Sequence, residues 1–124
     1  MPAIWVFLGG GLGATLRWWL TSLAPTPWGT VAVNMLGSFF LALLMHPAMG
    51  LGGSTRLALC TGLMGGFTTY STFNLDVLTA LDRGDWLGAL STVSATLLGC
   101  LLAGALGWAL GAWLSRGLSW TGTG

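Results

Sequence analysis

Two long stretches of this chain, Trp18 to Thr55 and Trp86 to Ser115, contain no Asp, Glu, Lys or Arg. A soluble domain cannot leave so much of its length without charge, because its surface needs solvated side chains; soluble chains average about 25% charged residues. Here 6% of residues are charged, 54% are hydrophobic and the mean hydropathy is +0.80. A bilayer crossing takes about 20 mostly apolar residues, so a chain of 124 residues has room for about four crossings and almost no soluble part. The expected fold is an all-α integral membrane protein, with residues 1–124 forming a single transmembrane domain.

Helix-stopping residues divide the chain. Helix 1 is expected from about Ala3 to Leu23, ended by the Pro25-Thr26-Pro27 turn, since proline cannot continue helical hydrogen bonding. Helix 2 is expected from about Trp28 to Met45, before His46-Pro47; helix 3 from about Ser54 to Leu81; helix 4 from about Trp86 to Leu114. In helix 1, Gly9, Gly13 and Arg17 fall on one face at four-residue spacing. That face can be a packing groove whose arginine reaches up to water, or the wall of an anion vestibule. Helix 2 carries a polar line of Thr30, Asn34 and Ser38. Asn34 lies well inside, where it can hydrogen-bond a neighbouring helix or offer its amide N–H to a passing anion. His46, with no second histidine or carboxylate near it in the sequence, is expected to be interfacial. Along helix 4, Ser91, Ala95, Gly99, Ala103, Gly107 and Gly111 are four apart and read as a helix-packing face, flanked by Ser94 and Thr96.

Helix 3 is unusual. From Gly62 to Asn74 it reads Gly-Leu-Met-Gly-Gly-Phe-Thr-Thr-Tyr-Ser-Thr-Phe-Asn, three glycines followed by the five hydroxyl residues Thr68 to Thr72. Glycines loosen a helix, and hydroxyls at membrane depth need partners, so such a stretch belongs where protein or a water-filled path surrounds it. Small and hydroxyl residues also build close helix contacts. Five hydroxyls in a row favour a helix broken near its middle and lining an ion path.

The charges set further bounds. With four crossings, Arg56 and Arg116 share one membrane side and Arg17 and Arg83 the other, so the usual cytoplasmic excess of Lys and Arg is missing. Insertion in both orientations, and hence an antiparallel dual-topology homodimer, is the expectation; four packed helices of this size also fill their own centre and leave little room for a pore. Trp18, Trp19, Trp28 and Trp86 are expected at one membrane interface and Trp5, Trp113 and Trp120 at the other, with Trp108 deeper. There is no basic patch for nucleic acid and no acidic cluster for a divalent metal. Cys60 and Cys100 are read as free thiols. The N-terminus lacks a basic segment ahead of its apolar run, so the first helix is expected to be retained rather than cleaved as a signal.

Three motifs in order, Gly10-Gly11-Leu-Gly13-Ala14 with Arg17, Gly29-Thr30-Val-Ala-Val-Asn34-Met-Leu-Gly37-Ser38-Phe39, and Gly65-Gly66-Phe67-Thr68-Thr69-Tyr70-Ser71-Thr72-Phe73, make the chain resemble the Fluc (CrcB-type) fluoride channels over nearly its whole length. The resemblance implies a multi-pass protein of the bacterial inner membrane that exports fluoride passively and gives fluoride resistance, as an antiparallel homodimer with two pores. It implies that Asn34 stands in the pore, that Tyr70 and Phe73 turn their ring edges to the ion, and that Ser71 and Thr72 supply hydroxyls. Arg17 is implied in the vestibule, and the backbone carbonyls of Gly65 and Thr68 as ligands of a structural sodium ion on the dimer axis. These roles agree with the chemistry. An aromatic edge is positive, fluoride needs closely spaced donors that replace its water without trapping it, and a broken helix frees carbonyls for a cation. The family pattern has phenylalanine where this chain has Tyr70, whose hydroxyl can donate to the ion or to a neighbour. Its polar helix 4 position could fall on Ser91, Ser94 or Thr96.

Two other readings compete. A small multidrug-resistance exporter shares the size and the antiparallel dimer, but exchanges protons through a buried glutamate; this chain has no glutamate, and Asp76, its one acid plausibly inside a helix, lies near the end of helix 3. A non-conducting assembly subunit would use the glycine faces alone. An enzyme is not indicated, for no nucleophile, base and orienting group fall together.

Overall fold

A computed structural model describes the backbone of residues 1–120 and side chains through residue 117; Trp120, assigned above to an interface, lies outside the described side chains. The described residues are helical apart from short connections, with no strand among them. Helix α1 (Pro2–Ser22) opens with proline at its first turn, where the missing N–H costs nothing. Helix α2 (Trp28–Met45) follows the proline turn and buries Thr30, Val31, Val33, Asn34 and Gly37. A short turn comes next, in which His46 Nδ1 accepts a hydrogen bond from the Ala48 N–H at 3.2 Å.

Residues 53–82 form an interrupted rod. It begins as α3 (Gly53–Arg56), widens into π-helical turns over Leu57–Met64, and returns to a single turn, α4 (Gly65–Phe67). At Thr68 and Thr69 the backbone is extended, with ψ of 157° and 111°. The helix resumes as α5 (Tyr70–Asp82). Gly84, at φ 74°, makes the turn into α6 (Trp86–Trp120), where the Asp85 carboxylate accepts from the Gly88 N–H at 2.8 Å and so caps the first turn.

Glycines decide how these rods pack. A Cβ at Gly9 would run into the Ala58 carbonyl and one at Gly13 into the Leu63 carbonyl, so α1 lies backbone-to-backbone on the π-helical stretch. On the other side α2 runs along α6: Gly99 leaves space for Met35, Gly107 for the Phe39 carbonyl and Gly111 for His46. The four-residue stripe of α6 is therefore a packing face. Trp108, expected to lie deeper than the other tryptophans, meets the ring of His46, expected at the interface, edge-on at 4.8 Å.

The outer surface is apolar. Helices α2 and α6 are each long and apolar enough to cross a bilayer, and Phe7, Leu87, Leu101 and Leu102 stand exposed. In water such a surface would aggregate; lipid suits it.

Candidate functional site

The broken helix leaves backbone groups that need partners, and α2 supplies them. Asn34, 7% exposed, accepts the Thr69 N–H on Oδ1 at 2.7 Å and donates Nδ2–H to the Thr69 carbonyl at 3.0 Å. Because the Thr69 N–H can only donate and its carbonyl only accept, the orientation of the amide is fixed. Of the two roles open to Asn34, the bond to a neighbouring helix is in place, and one Nδ2–H remains beyond it. The Thr69 hydroxyl accepts the Thr72 N–H at 3.2 Å, capping α5, and lies 2.9 Å from Thr72 Oγ1 and 3.3 Å from Ser71 Oγ. Thr69 was not singled out from the sequence. Its signal was there: a threonine just ahead of a helical run is a typical N-cap.

Two clefts flank this break. The first, about 360 Å³, brings together Asn34, Ser38, Thr69, Tyr70, Phe73 and Thr96. The Tyr70 and Phe73 ring centres are 5.4 Å apart and tilted by 56°, with Phe73 buried and Tyr70 77% exposed. Of the helix 4 hydroxyl residues Ser91, Ser94 and Thr96, Thr96 is the one that lines this cleft. It is 8% exposed, and its buried Oγ1 has no hydrogen-bond partner among the described residues. A helical threonine ordinarily satisfies itself on the carbonyl four residues back, as Thr92 does on Gly88 at 2.8 Å; Thr96 does not. Ser91 also bonds Gly88, at 2.9 Å.

The second cleft, about 450 Å³, is lined by Arg17, Thr21, Thr30, Thr69, Thr72 and Asp76 among others. Arg17 Nη1 donates to the Thr68 carbonyl at 3.2 Å, so the guanidinium reaches the break itself. Thr69 borders both clefts. The sequence-derived residues thus divide: Asn34, Tyr70 and Phe73 on one side, Arg17 and Thr72 on the other. Ser71 lines neither cleft, and Gly65 stands apart on an exposed turn.

For a sodium ion, hard carbonyl oxygens are the fitting donor type. Thr69, which in an unbroken helix would bond the Gly65 carbonyl, gives its N–H to Asn34 instead. That carbonyl is thereby released. The Thr68 carbonyl already takes the Arg17 bond and keeps a second lone pair.

Apolar helices packed around a broken one, with polar side chains in the clefts on either side of the break, are an architecture found in membrane proteins that move ions. Comparison with known proteins narrows this. The family model described as CrcB-like protein, Camphor Resistance (CrcB), matches residues 4–108. The chain is 41% identical over 112 residues to a fluoride-specific ion channel FluC of Sorangium cellulosum, covering 83% of this chain and 88% of that one. It is 40% identical over 122 residues to one of Mesorhizobium japonicum, covering 91% and 94%. A fluoride-specific ion channel FluC 1 of Halobacterium salinarum is 42% identical over 112 residues, covering 88% and 92%. The chain belongs to the CrcB family.

Proposed function

We propose that this chain is a fluoride-selective channel through which fluoride leaves the cytoplasm passively. The observation that carries the reading is the first cleft. There Asn34, with one N–H beyond its bonds to Thr69, Thr96, whose hydroxyl has no partner among the described residues, and the Tyr70–Phe73 pair line one space beside a helix break. Each of these groups carries a positive edge or a proton suited to a small anion, and among the described residues no lysine, arginine or carboxylate lines that cleft to trap or repel it. The relatives are named as channels for this ion, and none of the names describes an enzyme.

Four crossings in one domain, inserted in both orientations in the inner membrane, pair as an antiparallel dimer with two pores. Tyr70 supports this pairing: its ring is 77% exposed, although its partner Phe73 is buried, so a second copy completes the aromatic wall. Sodium held by the Gly65 and Thr68 carbonyls of both protomers ties the pair together. Arg17 draws anions to the break and Thr72 adds a hydroxyl to the same cleft, while Ser71, outside both clefts, acts only through its contact with the Thr69 hydroxyl.

The test is growth of a bacterium stripped of its own fluoride export. Expression of this chain restores growth on fluoride-containing medium. Equal sensitivity with and without the chain, when it is present in the membrane, contradicts the reading.

A further inference from the structure

Asp76 is placed where a carboxylate needs a reason to be. It follows Thr69 and Thr72 along one face of α5 and borders the cleft that Arg17 lines. It also borders a neighbouring cavity of about 450 Å³ that reaches Arg83 and Asp85 at the end of the helix. With Thr26, it is shared by the walls of the two spaces. Its Oδ2 is buried with no hydrogen-bond partner among the described residues, whereas Asp85 uses its carboxylate to cap α6. The one hydrogen bond drawn from Arg17 goes to the Thr68 carbonyl, so the two opposite charges flank one cleft without meeting. In a membrane protein, an ionisable side chain that borders a polar cleft is a candidate member of an ion path.

We propose, building on the channel reading, that Asp76 sets how readily anions enter the cleft beside the break. Its negative charge opposes anion occupancy there, and so keeps the Arg17 guanidinium from holding an anion too firmly to release. A conduction path needs sites strong enough to fill and weak enough to empty. Arg17 supplies the first property and Asp76 the second.

The test is fluoride efflux from liposomes holding the full-length protein, at fluoride concentrations low enough that entry limits the rate. Each variant is read as the ratio of its rate at about 10 mM ionic strength to its rate at about 150 mM, where the screening length falls from about 30 to about 8 Å. This ratio does not depend on how much protein is active. Asp76→Asn removes the opposing charge and raises the ratio about threefold or more, in the range by which local fields change ion entry. Asp76→Glu keeps the charge and stays at the wild-type ratio. An Asp76→Asn ratio equal to or below wild type, or an Asp76→Glu ratio matching Asp76→Asn, overturns the proposal while leaving the channel reading intact. So does an inactive Asp76→Asn beside an active Asp76→Glu. A wild-type protein that releases no fluoride removes the channel reading first, and this proposal with it.

Discussion

At the scale of single residues, hydrogen bonding decides what each side chain is free to do. Thr96→Val deletes a buried hydroxyl that bonds nothing, so stability should hold or rise, because an unsatisfied polar group costs about 1–3 kcal/mol. Fluoride flux should nevertheless fall about tenfold, the equivalent of about 1.4 kcal/mol of barrier. Melting temperature and efflux measured on the same preparation check both halves, and a flux loss that tracks a lower melting temperature would make Thr96 a packing residue. Asn34→Asp keeps the acceptor for the Thr69 N–H but sets a second oxygen against the Thr69 carbonyl and a charge in the cleft. Efflux should be suppressed at least tenfold, and unchanged efflux would remove Asn34 from the path. Asn34 stood out in the sequence because a polar residue deep in helix 2 breaks an apolar pattern, whereas Tyr70 and Phe73 were marked as a pair only by the resemblance to the fluoride channels. Thr96 could not be separated from Ser91 and Ser94, since spacing alone does not say which hydroxyls spend themselves on their own helix. Asp76 was placed by the sequence near the end of helix 3, and its position bordering two cavities shows only in the fold.

At the scale of elements, the glycines of α1 and the break in the third rod are one arrangement. Gly9 and Gly13 let α1 rest on the carbonyls of Ala58 and Leu63, and that contact ends where Arg17 reaches the Thr68 carbonyl. Gly13→Ala should therefore cost about 1–3 kcal/mol, as overpacking does. Gly11→Ala, whose added methyl meets nothing within 4 Å, should be neutral or stabilise by up to about 1 kcal/mol. Thermal unfolding in detergent of the two variants side by side gives the comparison, and equal effects would deny the close packing of α1. The break was legible because three glycines followed by a hydroxyl run contradict a continuous apolar helix, and it falls at Thr68 and Thr69 inside that run. The wider turns over Leu57–Met64 were not legible. Their register is tied to contacts with α1, far away in the chain, and no local residue pattern marks it.

At the scale of the whole molecule, the proposed dimer of opposed copies rests on the exposed Tyr70 residue, the released Gly65 carbonyl and the evenly split arginines. Replacing sodium with a large organic cation should raise the dimer dissociation constant about tenfold or more, a change of about 1.4 kcal/mol. Single-molecule subunit counting in membranes reads it, and a sodium-independent dimer would refute the ion's structural role. The two-against-two charge pattern was visible in the sequence, whereas the surface open to a second copy depends on which side chains the fold leaves outside. Selective conduction itself is tested most directly by efflux from liposomes holding only the purified protein, followed with a fluoride electrode beside a chloride electrode. Fluoride release without chloride release is the predicted result. Release of neither ion from well-folded dimers, or of both at similar rates, would contradict the account.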